Sequence, residues 1–273
     1  MIGFTLGAWQ GGPQWLALAA AGGLYAWGAR RAGSWPPLRS VAFAGALAAL
    51  ALALASGIDP IAHERLSVHM VQHGLITMVA APLAAWSAPV RLALAVQSGA
   101  ARRRTGKALH GLRGLGHPLT GLGLFALVAA VTHLPAVYEL ALRDPAVHAA
   151  EHAAFFWSAV ALWAPLIGAD PLPRRLGPVG RFGVLMAAMG VMTAGGAALA
   201  GADTVVYPSY AVAAARLGLD PLADQALAGG IMWVGAMVVM LPPLLALAWR
   251  ALADEERAQR VRDRRAAPRE GPR

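Results

Sequence analysis

Two pairs of histidines, each spaced four residues apart, are the sequence feature with the clearest chemical potential. They are His69 with His73 and His148 with His152. Residues four apart lie on one face of an α-helix, about 5–6 Å apart at Cβ, so both rings of a pair can reach one metal ion. Cysteine is absent from the chain, which excludes thiolate ligands. We therefore predict a metal site formed by these four histidines together with His133.

Each pair also contains a polar residue three positions after its first histidine, on nearly the same helix face. This residue is Gln72 in the first pair and Glu151 in the second. A metal-bound imidazole commonly donates its second ring N–H to a carboxylate or a carbonyl oxygen, which fixes the tautomer of the ring. We predict that Gln72 and Glu151 orient the ligand histidines in this way.

Three methionines in the apolar segments narrow the choice of metal. Met70 follows His69 directly, and Met192 and Met232 lie in later apolar segments. Thioether and imidazole groups without thiolates favour copper, especially Cu(I), over zinc or iron. We predict a copper site that includes Met70 and Met232, and the sequence leaves the participation of His63 and Met192 open.

The elements that must position these residues are membrane helices. The chain of 273 residues is 58% hydrophobic and only 14% charged, with a mean hydropathy of +0.53. Soluble domains carry about 25% charged residues, so a soluble enzyme of ordinary composition is excluded. Seven apolar runs approach the length of about 20 residues that a membrane helix needs. They are Gln14–Ala29, Leu38–Ser56, Leu66–Trp86, Pro118–His133, Ala146–Ile167, Phe182–Ala200 and Ala226–Trp249.

The basic residues between these runs predict the orientation of an all-α, seven-helix bundle. Of the 23 lysines and arginines, all but Arg65, Arg143 and Arg216 fall on one side, so the net charge of +9 indicates topology and not nucleic-acid binding. The positive-inside rule places this side in the cytoplasm and the N-terminus outside. We predict a transmembrane domain over residues 1–250 and a basic cytoplasmic tail over residues 251–273. Both histidine pairs would then lie near the outer face.

The order of motifs along the chain resembles the CtaG family of caa-type cytochrome c oxidase assembly factors. The motifs are His69-Met-Val-Gln-His73, Met78-Val-Ala-Ala-Pro82, Thr132-His-Leu-Pro135 with Tyr138-Glu139, His148-x-x-Glu-His152 with Phe155, Trp163-x-Pro165, and Asp224-Gln225 leading to Ala228-Gly-Gly-Ile-Met-Trp233. The resemblance covers roughly residues 60–243. It implies a seven-helix, non-enzymatic protein of the bacterial cytoplasmic membrane, needed to make active haem-copper oxidase.

The resemblance also implies a role in copper delivery. The expected partners are then the lipid bilayer and either oxidase subunits or copper carriers. Among the residues in the matching motifs, Asp224 is expected to support the site without binding the metal itself.

Other classes of function fit parts of the pattern. His148-x-x-Glu151-His152 matches the motif of inverted zinc peptidases, in which the glutamate acts as general base. Two imidazoles from facing helices could also be the axial ligands of haem in an electron-transfer protein. A transporter could use the histidines as a relay, although polar residues are sparse in the inner half of the predicted spans.

Overall fold

The computed structural model describes residues 9, 11–111, 114, 116–171 and 176–266. It is 84% helix, and no strand occurs within these ranges, which confirms the all-α prediction. Five of the arginines assigned to the cytoplasmic side lie outside the described residues: Arg113, Arg174, Arg175, Arg269 and Arg273.

The helices follow the apolar segments of the sequence closely. In the first part of the chain they are α1 (Gln14–Arg31), α2 (Pro37–Ala55), α3 (Ile58–Ala62), α4 (Leu66–Gly74), a π-helical segment (Leu75–Ala80), α5 (Ala81–Trp86), α6 (Pro89–Val96) and α7 (Gly99–Gly111). The second part contains α8 (Pro118–Thr132), α9 (Pro135–Arg143), α10 (Pro145–Ile167), α11 (Pro178–Ala200), α12 (Pro208–Leu217) and α13 (Pro221–Ala266). Every helix from α8 onward begins with proline, which suits the first turn because its missing N–H would have no partner there.

Five of the described helical segments are long and apolar enough to cross a bilayer. They are Pro37–Ala55, Leu66–Val96, Pro145–Ile167, Pro178–Ala200 and Pro221–Arg260. A sixth is present if α8 and α9, which meet at an angle of 75°, count as one broken span. The sequence predicted seven, so the structure supports five or six of them, and α1 forms a helix that is not among these candidates.

The bend between α8 and α9 follows from Pro135. A proline disfavours the helical conformation in the residue before it, and Leu134 is accordingly extended (φ −63°, ψ 129°). The predicted span that ends at His133 therefore stops at this bend. His133 lies directly after the last residue of α8, where its ring turns toward the rest of the bundle.

The remainder of the bundle is held by apolar packing and by a close contact between α11 and α13. Phe125, Leu162 and Met240 are fully buried in one apolar cluster. A Cβ atom added to Gly196 of α11 would lie 2.6 Å from the carbonyl oxygen of Gly229 in α13. Only glycine allows the two backbones to approach so closely.

The last helix crosses the predicted domain boundary without a break. α13 continues from Pro221 through residue 250 to Ala266, so the membrane part and the first part of the basic tail form one helix. Pro242 and Pro243 lie inside this helix. Within the described residues, the tail therefore extends the bundle directly.

Candidate metal centre

The two histidine pairs converge from α4 and α10. His69, His73, His148 and His152 are all buried, with at most 7% of any of these residues exposed. The His69 ring centroid lies 5.4 Å from that of His148, and the centroids of His73 and His152 are 5.6 Å apart. One ligand atom from each of His69, His73 and His152 fits within a mutual distance of 4.8 Å. The structure thus brings together the four histidines that the spacing singled out.

The start of each helix is fixed by a carboxylate. The side chain of Asp144 accepts hydrogen bonds from the backbone N–H groups of Ala146 (2.8 Å) and Val147 (3.4 Å), which caps α10 immediately before His148. On α4, the cap comes from another helix. Asp224 of α13 accepts from the backbone N–H of Ser67 (3.3 Å) and from the Ser67 hydroxyl.

Asp224 therefore helps to fix the position of the whole α4 helix. Its carboxylate also lies 3.5 Å from Nε of Arg65, the residue that precedes α4. The sequence resemblance predicted that Asp224 supports the site without binding the metal, and this role stays a prediction. The contacts of Asp224 place the α4 helix, and with it His69, against α13.

Tyr210 of α12 sets the tautomer of His69. The tyrosine hydroxyl donates to the carbonyl oxygen of Ala62 at 2.8 Å, so its only proton is used. It must therefore accept the hydrogen bond from Nδ1 of His69, which also measures 2.8 Å. This leaves the lone pair of His69 on Nε2, the atom that faces Nε2 of His73 at 2.9 Å.

The same reasoning assigns the free nitrogen of His133. Its Nδ1 lies 2.8 Å from the carbonyl oxygen of Ala129, which can only accept, so Nδ1 carries the proton. Nε2 then carries a lone pair, and it is buried without a hydrogen-bond partner. The ring centroid lies 6.3 Å from that of His73, so His133 flanks the group of three nitrogens without belonging to it.

The two polar residues within the pairs have different surroundings. Both carboxylate oxygens of Glu151 are buried and lack a hydrogen-bond partner, and one of them lies 3.9 Å from Nε2 of His73. Glu151 also forms a possible ligand group with His69 and His148. The amide of Gln72 instead donates to the carbonyl oxygen of Ala53 and to the carboxylate of Asp59, both at 2.8 Å. The predicted contact of Gln72 with a histidine is therefore replaced by contacts to α2 and α3.

Unpartnered ligand atoms are concentrated at this site. The buried nitrogen and oxygen atoms without a hydrogen bond include Nδ1 of His73, Nε2 of His133, His148 and His152, and both oxygens of Glu151. Each such group costs about 1–3 kcal/mol when it is buried unpaired. Several of them in one place are unfavourable unless they serve a further purpose, and every one is a potential metal ligand.

The geometry fits a metal ion. Metal–imidazole bonds of about 2.0–2.1 Å place three nitrogens around one ion about 3.3–3.6 Å from one another. The ligand nitrogens of His69, His73 and His152 lie within 4.8 Å of one another, and Nε2 of His69 is 2.9 Å from Nε2 of His73. Rotation of these side chains would widen the short contact and close the long ones, so the three residues fit an ion.

The methionines line a cavity beside the histidines. Met70 and Met232 are buried, and they lie with His73 and His133 on the wall of a cavity of about 220 Å³. Met78 and Met192 line the same cavity. The structure thus places Met70 and Met232 next to the nitrogen ligands, and it places Met192, which the sequence left open, with them.

Three neighbouring residues were outside the predicted site. Tyr210 contacts His69, although nothing in the sequence pattern links positions so far apart. Asp59 and His63 form a further possible ligand group with His148. The sequence left the participation of His63 open, and the fold places its ring centroid 4.8 Å from that of His148.

These features define a helical, multi-pass membrane protein with a buried histidine cluster near one end of its bundle. The model of the cytochrome c oxidase caa3 assembly factor family (Caa3_CtaG) matches residues 23–254. The chain belongs to this family, which confirms the resemblance seen in its motifs.

The curated relatives are mycobacterial. Uncharacterized proteins of Mycobacterium bovis and Mycobacterium tuberculosis are each 29% identical over 247 residues, which is 87% of this chain and 37% of theirs. An uncharacterized protein of Mycobacterium leprae is 27% identical over 248 residues, again 87% of this chain and 38% of its own. The chain therefore spans little more than a third of the length of these relatives. No solved structure matches it.

Proposed function

We propose that this protein binds copper at its buried histidine cluster and assists copper delivery to a haem-copper cytochrome c oxidase during assembly. The observation that supports the proposal is the set of buried, unpartnered nitrogens on two converging helices, with three ligand nitrogens within 4.8 Å of one another. In this role the protein holds and passes on an ion, and it is not an enzyme. Its partners are oxidase subunits or the carriers that supply copper.

The ligand types favour copper over other metals. Imidazole nitrogens surround the centre, thioethers line the adjoining cavity, and the chain has no cysteine. Soft thioether groups select Cu(I), whereas zinc and iron gain little from them. Because the lone pair of His69 is on Nε2, the proton between the two rings is carried by Nε2 of His73. A bound ion would displace this proton, since a ligand nitrogen must be unprotonated.

We further propose that the chain spans the bacterial cytoplasmic membrane seven times, with α1 and the α8–α9 pair as spans beside the five long helices. The N-terminus lies outside and the arginine-rich end of α13 lies in the cytoplasm, following the positive-inside rule. This orientation places the histidines at the outer face. A reporter enzyme that works only in the cytoplasm should be active when it is fused after Arg273. One that works only outside the cytoplasm should be active when it is inserted at Asp203. The opposite result would invert the topology.

The central experiment is metal analysis of the purified full-length protein together with its visible spectrum. We expect bound copper in the wild type and its loss in a His73→Ala variant. His110→Ala is the matched control, since it removes a histidine from α7 and should leave the copper content unchanged. A strong haem absorption band would instead favour the haem-binding alternative, and the absence of copper after loading would overturn the proposal.

A further inference from the structure

A second group of ligand atoms lies between the histidine cluster and the surface. It consists of Asp59, His63 and His148, with one ligand atom of each within 4.8 Å of the others. The three residues form a gradient of exposure, since His63 is exposed, Asp59 is partly buried and His148 is 7% exposed. They line one pocket of about 720 Å³ together with His152. An ion arriving from solvent therefore meets this group before the inner one.

The hydrogen bonds leave the ligand atoms of this group available. Nδ1 of His63 lies 2.9 Å from the backbone carbonyl oxygen of Asp59, so Nδ1 carries the proton and Nε2 carries the lone pair. The His63 ring meets the His148 ring edge-on, with an interplanar angle of 84°. Nε2 of His148 is buried and has no hydrogen-bond partner.

Gln72 fixes the position of the Asp59 carboxylate in this outer group. Its amide holds Oδ1 of Asp59 at 2.8 Å and is itself anchored to the carbonyl oxygen of Ala53. The residue that the sequence assigned to a histidine of α4 thus positions a ligand of the outer group. The negative charge of Asp59 at the mouth of a pocket attracts cations and raises their local concentration.

His148 belongs both to the outer group and to a group of inner residues. It is a member of the outer group, and it also forms a group with His69 and Glu151. Its ring centroid is 4.2 Å from that of His152, a member of the inner group. Neighbouring ligand groups that share a residue allow an ion to form bonds to His69 or His152 before its bonds to Asp59 and His63 break. The ion then keeps ligands throughout and avoids the large cost of an uncompensated charge in an apolar interior.

We propose that Asp59, His63 and His148 form a receiving site for copper, from which His148 passes the ion to the inner group of His69, His73 and His152. The inference rests on the proposed copper function and adds a direction to it. The outer group governs how fast the ion is taken up, and the inner group governs how tightly it is held. Rate and affinity therefore respond to different residues.

The test follows transfer of Cu(I) from its coloured, cationic complex with neocuproine to the purified protein in detergent, under ascorbate, by stopped-flow absorbance. Asp59→Asn should slow the transfer by about tenfold, the lower end of the effect that charge at a cleft has on association. His63→Ala should also slow it, because the exposed imidazole ligand is lost. The final copper occupancy should stay at the wild-type value. His73→Ala should lower the occupancy itself. Glu64→Gln is the matched control for Asp59→Asn, because it removes a carboxylate next to His63 that belongs to neither ligand group.

The outcomes separate this inference from the function on which it rests. Wild-type transfer rates in both His63→Ala and Asp59→Asn would overturn the receiving site and leave the copper function intact. A fall in occupancy that matches the fall in rate would also overturn it, because the outer residues would then belong to a single holding site. Failure of the wild type to take up copper at all would overturn the proposed function. Equal thermal unfolding of the variants and the wild type verifies that the fold is retained.

Discussion

The two histidine pairs share a spacing but differ in what surrounds them. On α4, Nδ1 of His69 donates to Tyr210, and its Nε2 meets Nε2 of His73. On α10, Nε2 of both His148 and His152 is buried without a partner. In the α4 pair only Nδ1 of His73 is buried without a partner, whereas each ring of the α10 pair has such a nitrogen. The same four-residue pattern can therefore supply two ligand pairs that differ in how many of their ring nitrogens already have partners.

The middle residues of the pairs extend this difference. Gln72 points to α2 and α3 and contacts Asp59, whereas Glu151 is enclosed between the pairs with neither oxygen hydrogen-bonded. A buried carboxylate without partners is costly, and a nearby cation would compensate for it. Glu151 is therefore the position at which the metal-free and metal-bound states should differ most.

The largest effect is expected from removing an inner ligand of the α10 pair. His152→Ala deletes one of the three nitrogens that approach one another within 4.8 Å. We expect copper affinity to fall by more than the roughly 10–100-fold that is typical for groups that only orient ligands. Competition with a chromophoric copper chelator measures the affinity. An unchanged affinity would show that the unpartnered nitrogen of His152 is not a ligand. His117→Ala is the control, because it removes a histidine on the other side of the bundle.

Glu151→Gln should have the next largest effect. The substitution places glutamine in the α10 pair, as Gln72 already stands at the matching position of the α4 pair. It keeps a hydrogen-bond acceptor and removes the carboxylate. We expect copper affinity and oxidase assembly to fall together by about 10–100-fold, while the metal-free protein becomes no less stable. Chelator competition, oxidase activity in membranes and thermal unfolding are the three measurements.

The same variant also tests the peptidase alternative. A zinc peptidase would keep its metal but lose its general base, so turnover would disappear at full metal occupancy. Full metal retention with complete loss of function in Glu151→Gln would contradict the copper role of this residue. Glu64→Gln, an outer carboxylate outside the cluster, serves as the charge-matched comparison.

Tyr210→Phe should have a moderate effect by weakening the organisation of the α4 pair. The variant removes the acceptor of the His69 Nδ1 proton, so the ring is free to turn or to change tautomer. We expect a loss of copper affinity of about tenfold, at the lower end of the range for groups that orient a ligand. Tyr207→Phe is the matched control, because the Tyr207 hydroxyl donates to the carbonyl oxygen of His133. Equal losses in both variants would mean that general packing, and not the tautomer of His69, is responsible.

The smallest effect is expected from Met232→Leu. Exchange of methionine for leucine preserves volume and usually costs less than about 1.5 kcal/mol of stability. The thioether lines the adjoining cavity and is not in the nitrogen group, so we expect a modest fall in Cu(I) affinity and no change in Cu(II) affinity. Chelator titrations under reducing and oxidising conditions compare the two. A larger loss for Cu(II) would contradict a soft-ligand role.

The helix positions were largely predictable because apolar length is a local property of the sequence. The predicted run 146–167 corresponds to Pro145–Ile167, and the predicted run 38–56 to Pro37–Ala55. The break before Pro135 could also have been expected from the proline itself. The π-helical segment Leu75–Ala80 has no such local signal, and the carbonyl oxygen of Thr77 within it accepts a hydrogen bond from the distant Trp163.

For the site, the spacing predicted which histidines share a helix face but not which neighbours complete the arrangement. Tyr210 reaches His69 from α12, and the carboxylate of Asp224 caps α4 from α13. Both contacts join distant parts of the chain and have no periodic signal. The orientation of Gln72 depends on where Asp59 lies after folding. Tertiary packing therefore decided these contacts.

The glycine contact between α11 and α13 bears on how the protein moves. Helices that touch backbone to backbone at Gly196 and Gly229 behave as one stiff body, because a separation would expose a large matched surface. By contrast, α3 has only five residues and is followed by the exposed His63. Amide hydrogen exchange should then be slowest along α11 and the facing part of α13 and fastest around α3. The α11–α13 pair would then be the most rigid part of the bundle and α3 the most flexible, and α3 carries Asp59 of the proposed receiving site.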